Sequence, residues 1–121
     1  MKKHFWKLSA FLWMCIILYL SFFTIADPEE GLPMFENQDK VGHFIFYAIL
    51  TSILIKTFSV ELIKNSPLVV AIVFAFCFGA VVEILQHYAT EDRFGSIWDL
   101  FFNTLGILII GFIAKKRLNG N

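Results

Sequence analysis

A chain of 121 residues that is 58% hydrophobic and only 17% charged carries more apolar surface than a soluble fold of its size can bury. Its mean hydropathy of +0.71 calls for lipid as the solvent. The formal net charge is zero, so there is no electrostatic footprint for nucleic acid or any other polyanion.

Apolar runs of about 17–25 residues cross a bilayer core as helices, which satisfy their own backbone where lipid offers no hydrogen bonds. Four such runs are expected: Leu8–Ile25, Val41–Phe58, Pro67–Tyr88 and Ile97–Ala114. The first follows Lys2, Lys3 and Lys7 and ends near Thr24-Ile25-Ala26, so a cleaved signal peptide over Met1–Ala26 competes with a retained anchor. The run exceeds the usual h-region of about 7–15 residues, which favours the anchor. Turn chemistry joins the runs: Asp27-Pro28, Gly31 and Pro33, then Asn65-Ser66-Pro67, then Gly95-Ser96. Pro67 suits a first helical turn, where its missing N–H is no loss. Cys15 and Cys77 lie inside apolar runs and read as buried free thiols rather than a disulfide or ligand pair. No internal repeat or low-complexity tract is present, and a single domain of all-α type, a four-helix membrane bundle, is expected.

The basic residues orient the spans. Lys2, Lys3, Lys7, Lys56, Lys64, Lys115, Lys116 and Arg117 fall on one side, against Lys40 and Arg93 on the other. The positive-inside rule then puts both termini in the cytoplasm. Asp27, Glu29, Glu30, Glu36, Asp39, Glu91 and Asp92 gather on the opposite face.

On that outer side the rare polar residues fall on helical stripes. Lys40, His43 and Tyr47 are spaced i, i+3, i+7; Glu83 and Gln86 are spaced i, i+3, with Gly79 a turn below; Asp99, Asn103 and Gly106 are spaced i, i+4, i+7. At about 1.5 Å per residue, Glu83 lies about 7–8 Å and Asn103 about 10 Å inside its helix end. Small residues such as Gly79 and Gly106 let helices approach closely in lipid and bring such stripes together. Ionisable groups at membrane depth are costly, and Glu83 in particular must be paired, hydrated or protonated.

Plainer readings stand beside the functional one. Ser96-x-x-Asp99 matches a capping box, and Asp39 is placed to cap the second span. Lys40 is placed to snorkel, and Arg93 to pair with Glu83 or Asp99. Tyr47, Tyr88 and Trp98 suit packing or an interfacial belt, and Gln86 and Asn103 suit interhelical hydrogen bonds. His43, Glu83, His87 and Asp99 offer metal-type donors, but without an HExxH-like signature, so no metal and no cofactor is expected.

The ordered set Asp39-Lys40-Val41-Gly42-His43-Phe44 with Tyr47, Glu83-Ile84-Leu85-Gln86, Arg93, and Asp99-Leu100-Phe101-Phe102-Asn103-Thr104-Leu105-Gly106 resembles the VanZ-like family. These are small membrane proteins named after a teicoplanin-resistance determinant. The resemblance covers spans two to four, and His87 has no place in it. It implies a multi-pass protein of the bacterial cytoplasmic membrane, part of the cell envelope, without by itself assigning glycopeptide resistance.

Three functions compete. In the first, an outward-facing site binds or acts on an envelope lipid, such as a polyprenyl-linked precursor, or a glycopeptide-related target. Lys40 and Arg93 hold a phosphate there, Asp39, Tyr47, Gln86, Asp99 and Asn103 complete the ligand site, and Glu83 with His43 forms a candidate acid–base pair. In the second, the chain is non-enzymatic and the polar network only fixes helix packing or serves a protein partner. The third, a small transporter, lacks a polar path through the cytoplasmic halves of the spans. Oligomeric state is left open.

Overall fold

A computed structural model of the chain describes residues 2–22, 38–61, 66–89 and 97–119. Four α-helices account for them: α1 (Lys2–Phe22), α2 (Gln38–Glu61), α3 (Pro67–Ala89) and α4 (Ile97–Asn119). All four are long and apolar enough to cross a membrane. Each helix outruns the apolar stretch that announced it, except at the start of α3 and α4; residues 23–25 of the first stretch lie outside the described residues. Lys2–Lys7 continue α1 upstream and Lys115–Asn119 continue α4 downstream, because helical hydrogen bonding does not stop where hydropathy does. The start of α3 is locally determined. Ser66 Oγ accepts from Val69 N at 3.4 Å and its carbonyl from Val70 N at 3.2 Å, with Pro67 in the first helical position.

α2 is the hub. It packs on the three other helices, α3 and α4 also pack on each other, and α1 meets α2 and, more lightly, α3. α1 and α4 do not meet among the described residues. Cross-helix bonds fix an up-and-down course: Trp13 Nε1 donates to the Phe46 carbonyl (2.9 Å), Thr57 Oγ1 to the Trp6 carbonyl (3.1 Å) and Gln86 Nε2 to the Ser21 carbonyl (2.9 Å). The start of α2, the end of α3 and the start of α4 therefore share one end of the bundle with the end of α1.

The distribution of polarity is inverted relative to a soluble protein. Phe5, Phe11, Val69, Val81, Ile97 and Phe112 face outward, while Thr51, Glu83, Gln86, Asp99 and Asn103 are buried. Lipid accepts the apolar exterior, and the interior holds the groups that lipid rejects. Buried hydroxyls are satisfied locally, as Thr51 on the Tyr47 carbonyl (2.7 Å) illustrates. Ile17, Leu50, Leu54, Ala71, Ala75 and Ile107 form the apolar part of the core, and Tyr47 joins it. The buried-thiol expectation fails: Cys15 and Cys77 are free, but both are exposed on apolar helix faces.

Gly106 marks a close approach of α2 and α4. A Cβ there would overlap the carbonyl oxygen of Phe44 and come within 3.3 Å of Ala48 N, so α2 and α4 are in backbone contact.

Candidate functional site

At the shared end, α2, α3 and α4 bring together Lys40, His43, Glu83, Asp99 and Asn103. Lys40 sits one turn before His43, and its Nζ donates to Asp99 Oδ1 at 2.6 Å. His43 stands at the centre. Its Nδ1 lies 2.9 Å from Asn103 Oδ1 and 3.8 Å from Glu83 Oε1, and its Nε2 lies 3.7 Å from Asp99 Oδ2. The contact with Asn103 anchors the His43 ring to α4.

The cluster is deep but not sealed. The side chains of Glu83 and Asp99 retain 7% and 11% of their exposure, those of His43 and Lys40 21% and 22%. The acids form the inner wall, and the imidazole and ammonium form the mouth. Beneath them Tyr47, one turn below His43, packs its ring edge against Gly79. A Cβ on Gly79 would lie 3.0 Å from Tyr47 Cε1 and 3.3 Å from Asn103 Nδ2. Gly79 thus makes room for a tyrosine and an asparagine at the floor. The Tyr47 hydroxyl and Asn103 Nδ2 are both buried and make no hydrogen bond among the described residues.

Not every expected residue joins. Gln86 reaches across to the Ser21 carbonyl and ties α3 to α1. Gln86→Leu is therefore expected to lower stability by about 1 kcal/mol, as interhelical hydrogen bonds in membranes do, and to loosen α1. Thermal unfolding in detergent, with and without the substitution, checks this. His87 is exposed, its ring edge-to-face on Tyr88 (5.0 Å, 84°), so the four-donor set loses one member. The other three remain together, with one donor atom from each of His43, Glu83 and Asp99 lying within 4.8 Å of one another. Arg93, the side chain of Asp39 and the Ser96 half of the capping box lie outside the described residues. Sequence reasoning passed over Trp13 and Thr57, whose side chains donate to backbone carbonyls, and Ser21, whose own carbonyl accepts from Gln86, because bonds to backbone leave no trace in residue spacing.

Fold and cluster together define a multi-pass helical membrane protein with a mixed-charge polar site buried near one end of its bundle. The chain matches no model of a known protein family, no curated protein and no solved structure.

Proposed function

We propose that this chain is a VanZ-like integral membrane protein of the bacterial cytoplasmic membrane that binds the phosphate-bearing head of an envelope lipid of polyprenyl type. Both termini lie in the cytoplasm and the polar cluster faces outward, following the distribution of basic residues. The observation that carries the reading is the convergence of Lys40, His43, Glu83, Asp99 and Asn103 from three helices at one depth.

Packing alone does not need two carboxylates, an ammonium and an imidazole in one place, since neutral amides link membrane helices without the desolvation penalty. At head-group depth Lys40 lies at the mouth, where its ammonium bridges Asp99 to an incoming phosphate. Asn103 orients His43. Glu83 and His43 are the pair that would move a proton if the bound lipid reacts.

Native mass spectrometry of protein extracted from bacterial membranes in mild detergent tests the reading. The wild type is expected to retain a discrete lipid mass, and Glu83→Ala to lose it while staying helical and monodisperse. Only bulk phospholipid on both, with the variant merely less stable, would return the cluster to a packing role. The packing reading has one observation of its own, the bond from Gln86 to Ser21, and it expects Glu83→Gln to be harmless to every function.

A further inference from the structure

The geometry points to a binding seam for one anionic phospholipid along α2 and α4, with its head at the opposite end of the bundle from the polar cluster. Three helices surround α2 unevenly. Phe46 and Thr57 meet α1, Tyr47 and Phe58 meet Phe78 and Phe74 of α3, and Phe44 and Ala48 meet Gly106 of α4. α3 packs on both α1 and α4, so it fills the arc between them. The other side of α2 is left to lipid, and Val41, Ile45, Ile49, Ser52, Lys56 and Ser59 form its exposed stripe at helical spacing.

The second wall comes from α4. Gly106 faces α2 and Gly111 faces Ile72 of α3, and at about 100° per residue Ile109 and Ile113 fall on the other side of Gly106 from Gly111. Both isoleucines are exposed. The two helices run in the same direction, since Lys40 meets Asp99, His43 meets Asn103 and Phe44 meets Gly106. Beyond that last contact Lys56 stands about 18 Å along α2 and Arg117 about 16 Å along α4, so the two cations flank the seam at one height. Arg117 lies about three whole turns after Gly106, on the same face, and Lys116 beside it falls on the Ile109 side.

Charge complementarity names the occupant. Lys56, Lys116 and Arg117 are exposed, and none makes a hydrogen bond or ion pair with a described residue. Glu83 and Asp99 lie at the other end of the bundle. Lys116 and Arg117 also suit the last turn of α4, where cations complement the helix dipole. Lys56 stands before the last turn of α2, on its lipid-facing stripe, where the dipole does not account for it. From Ile45 to Lys56 the stripe runs about 16 Å, close to half of a hydrocarbon core about 30 Å thick. An acyl chain in one leaflet thus covers the apolar seam, and Lys56 lifts its ammonium to head-group level on its own methylene stem. Three unpaired cations suit a phosphate diester without a cation of its own, as in phosphatidylglycerol, whereas a choline head would bring a like charge to them.

The full-length protein, delipidated in mild detergent, is titrated with phosphatidylglycerol and with phosphatidylcholine of the same acyl chains, and bound lipid is counted by native mass spectrometry. One phosphatidylglycerol is expected to bind in clear preference to phosphatidylcholine. A basic residue near an anionic head group is worth roughly fivefold in affinity, so Lys56→Gln and Arg117→Gln are each expected to weaken phosphatidylglycerol by about that factor. Lys115→Gln is the control. It removes the same charge at the same end, but Lys115 lies nine residues from Gly106, half a turn round, on the face of α4 turned from the seam. All three side chains are exposed, so helix content and thermal midpoint are expected to stay as in the wild type. Phosphatidylcholine binding as tightly as phosphatidylglycerol overturns the site. A loss in Lys115→Gln equal to that in Lys56→Gln also overturns it, because bulk charge would then suffice. Glycerol phosphate binding as tightly as the whole lipid overturns the apolar seam as part of the site, and a dimer of the chain that excludes phosphatidylglycerol overturns lipid as the occupant.

Discussion

Gly106→Ala is expected to destabilise the protein by about 3 kcal/mol, the upper part of the range for overpacking a membrane or soluble core. The added methyl meets the Phe44 carbonyl oxygen, and backbone cannot rotate aside as a side chain can. Relief requires α4 to move off α2, which carries Asp99 and Asn103 away from Lys40 and His43, so ligand binding falls together with stability. Gly111→Ala is the internal control. Its methyl would lie 2.7 Å from Ile72 Cδ1, the tip of a flexible side chain that can turn away, and the expected loss is under about 1 kcal/mol. Equilibrium unfolding in mixed micelles compares the two, and equal effects would mean that α2 and α4 are not in backbone contact.

The second large effect belongs to Lys40. Lys40→Met is expected to cost about 2–3 kcal/mol, somewhat below the roughly 3–5 kcal/mol for breaking a fully buried pair, because Lys40 and Asp99 keep 22% and 11% of their side-chain exposure. The loss comes chiefly from Asp99, left as a second carboxylate beside Glu83 without its ammonium. Lys40→Met combined with Asp99→Asn should therefore recover most of it, and a double-mutant cycle should read a coupling of about 1–3 kcal/mol. A double variant as unstable as the sum of the singles would show that the two residues act independently.

Much of this was legible in the residues. Four apolar runs gave four helices, since lipid leaves the backbone few alternatives and hydropathy reports that constraint directly. The i, i+3, i+4 stripes put Lys40 with His43 and Asp99 with Asn103 on common faces, since spacing within one helix is rigid, and the structure joins those faces through Lys40–Asp99 and His43–Asn103. Gly79 and Gly106 were recognisable as points of close approach for the same reason. Between helices the pattern is weaker. Gln86 shares a stripe with Glu83 yet bonds α1, because a long amide at a helix edge can serve either neighbour. Cys15 and Cys77 illustrate the same limit: in a span apolar all round, composition does not say which face is inside.

The most apolar of the four helices, α3 at a mean hydropathy of 2.8, is also the one that carries Glu83 farthest from its end. α3 precedes α4 in the chain, so if the spans insert one at a time its carboxyl group meets lipid before Asn103 or Asp99 is nearby. A carboxylate at the centre of a span opposes insertion by roughly 2.5–3.5 kcal/mol and one nearer the end, as Glu83 is, by less, while each Leu, Ile, Phe or Val offsets about 0.3–0.6 kcal/mol. Val69, Val70, Ile72, Val73, Phe74, Phe76, Phe78, Val81 and Val82 thus work as ballast for a single acid. The greasiest segment of the chain is the one whose apolar residues offset a buried acid on entry into lipid as well as pack in the finished bundle.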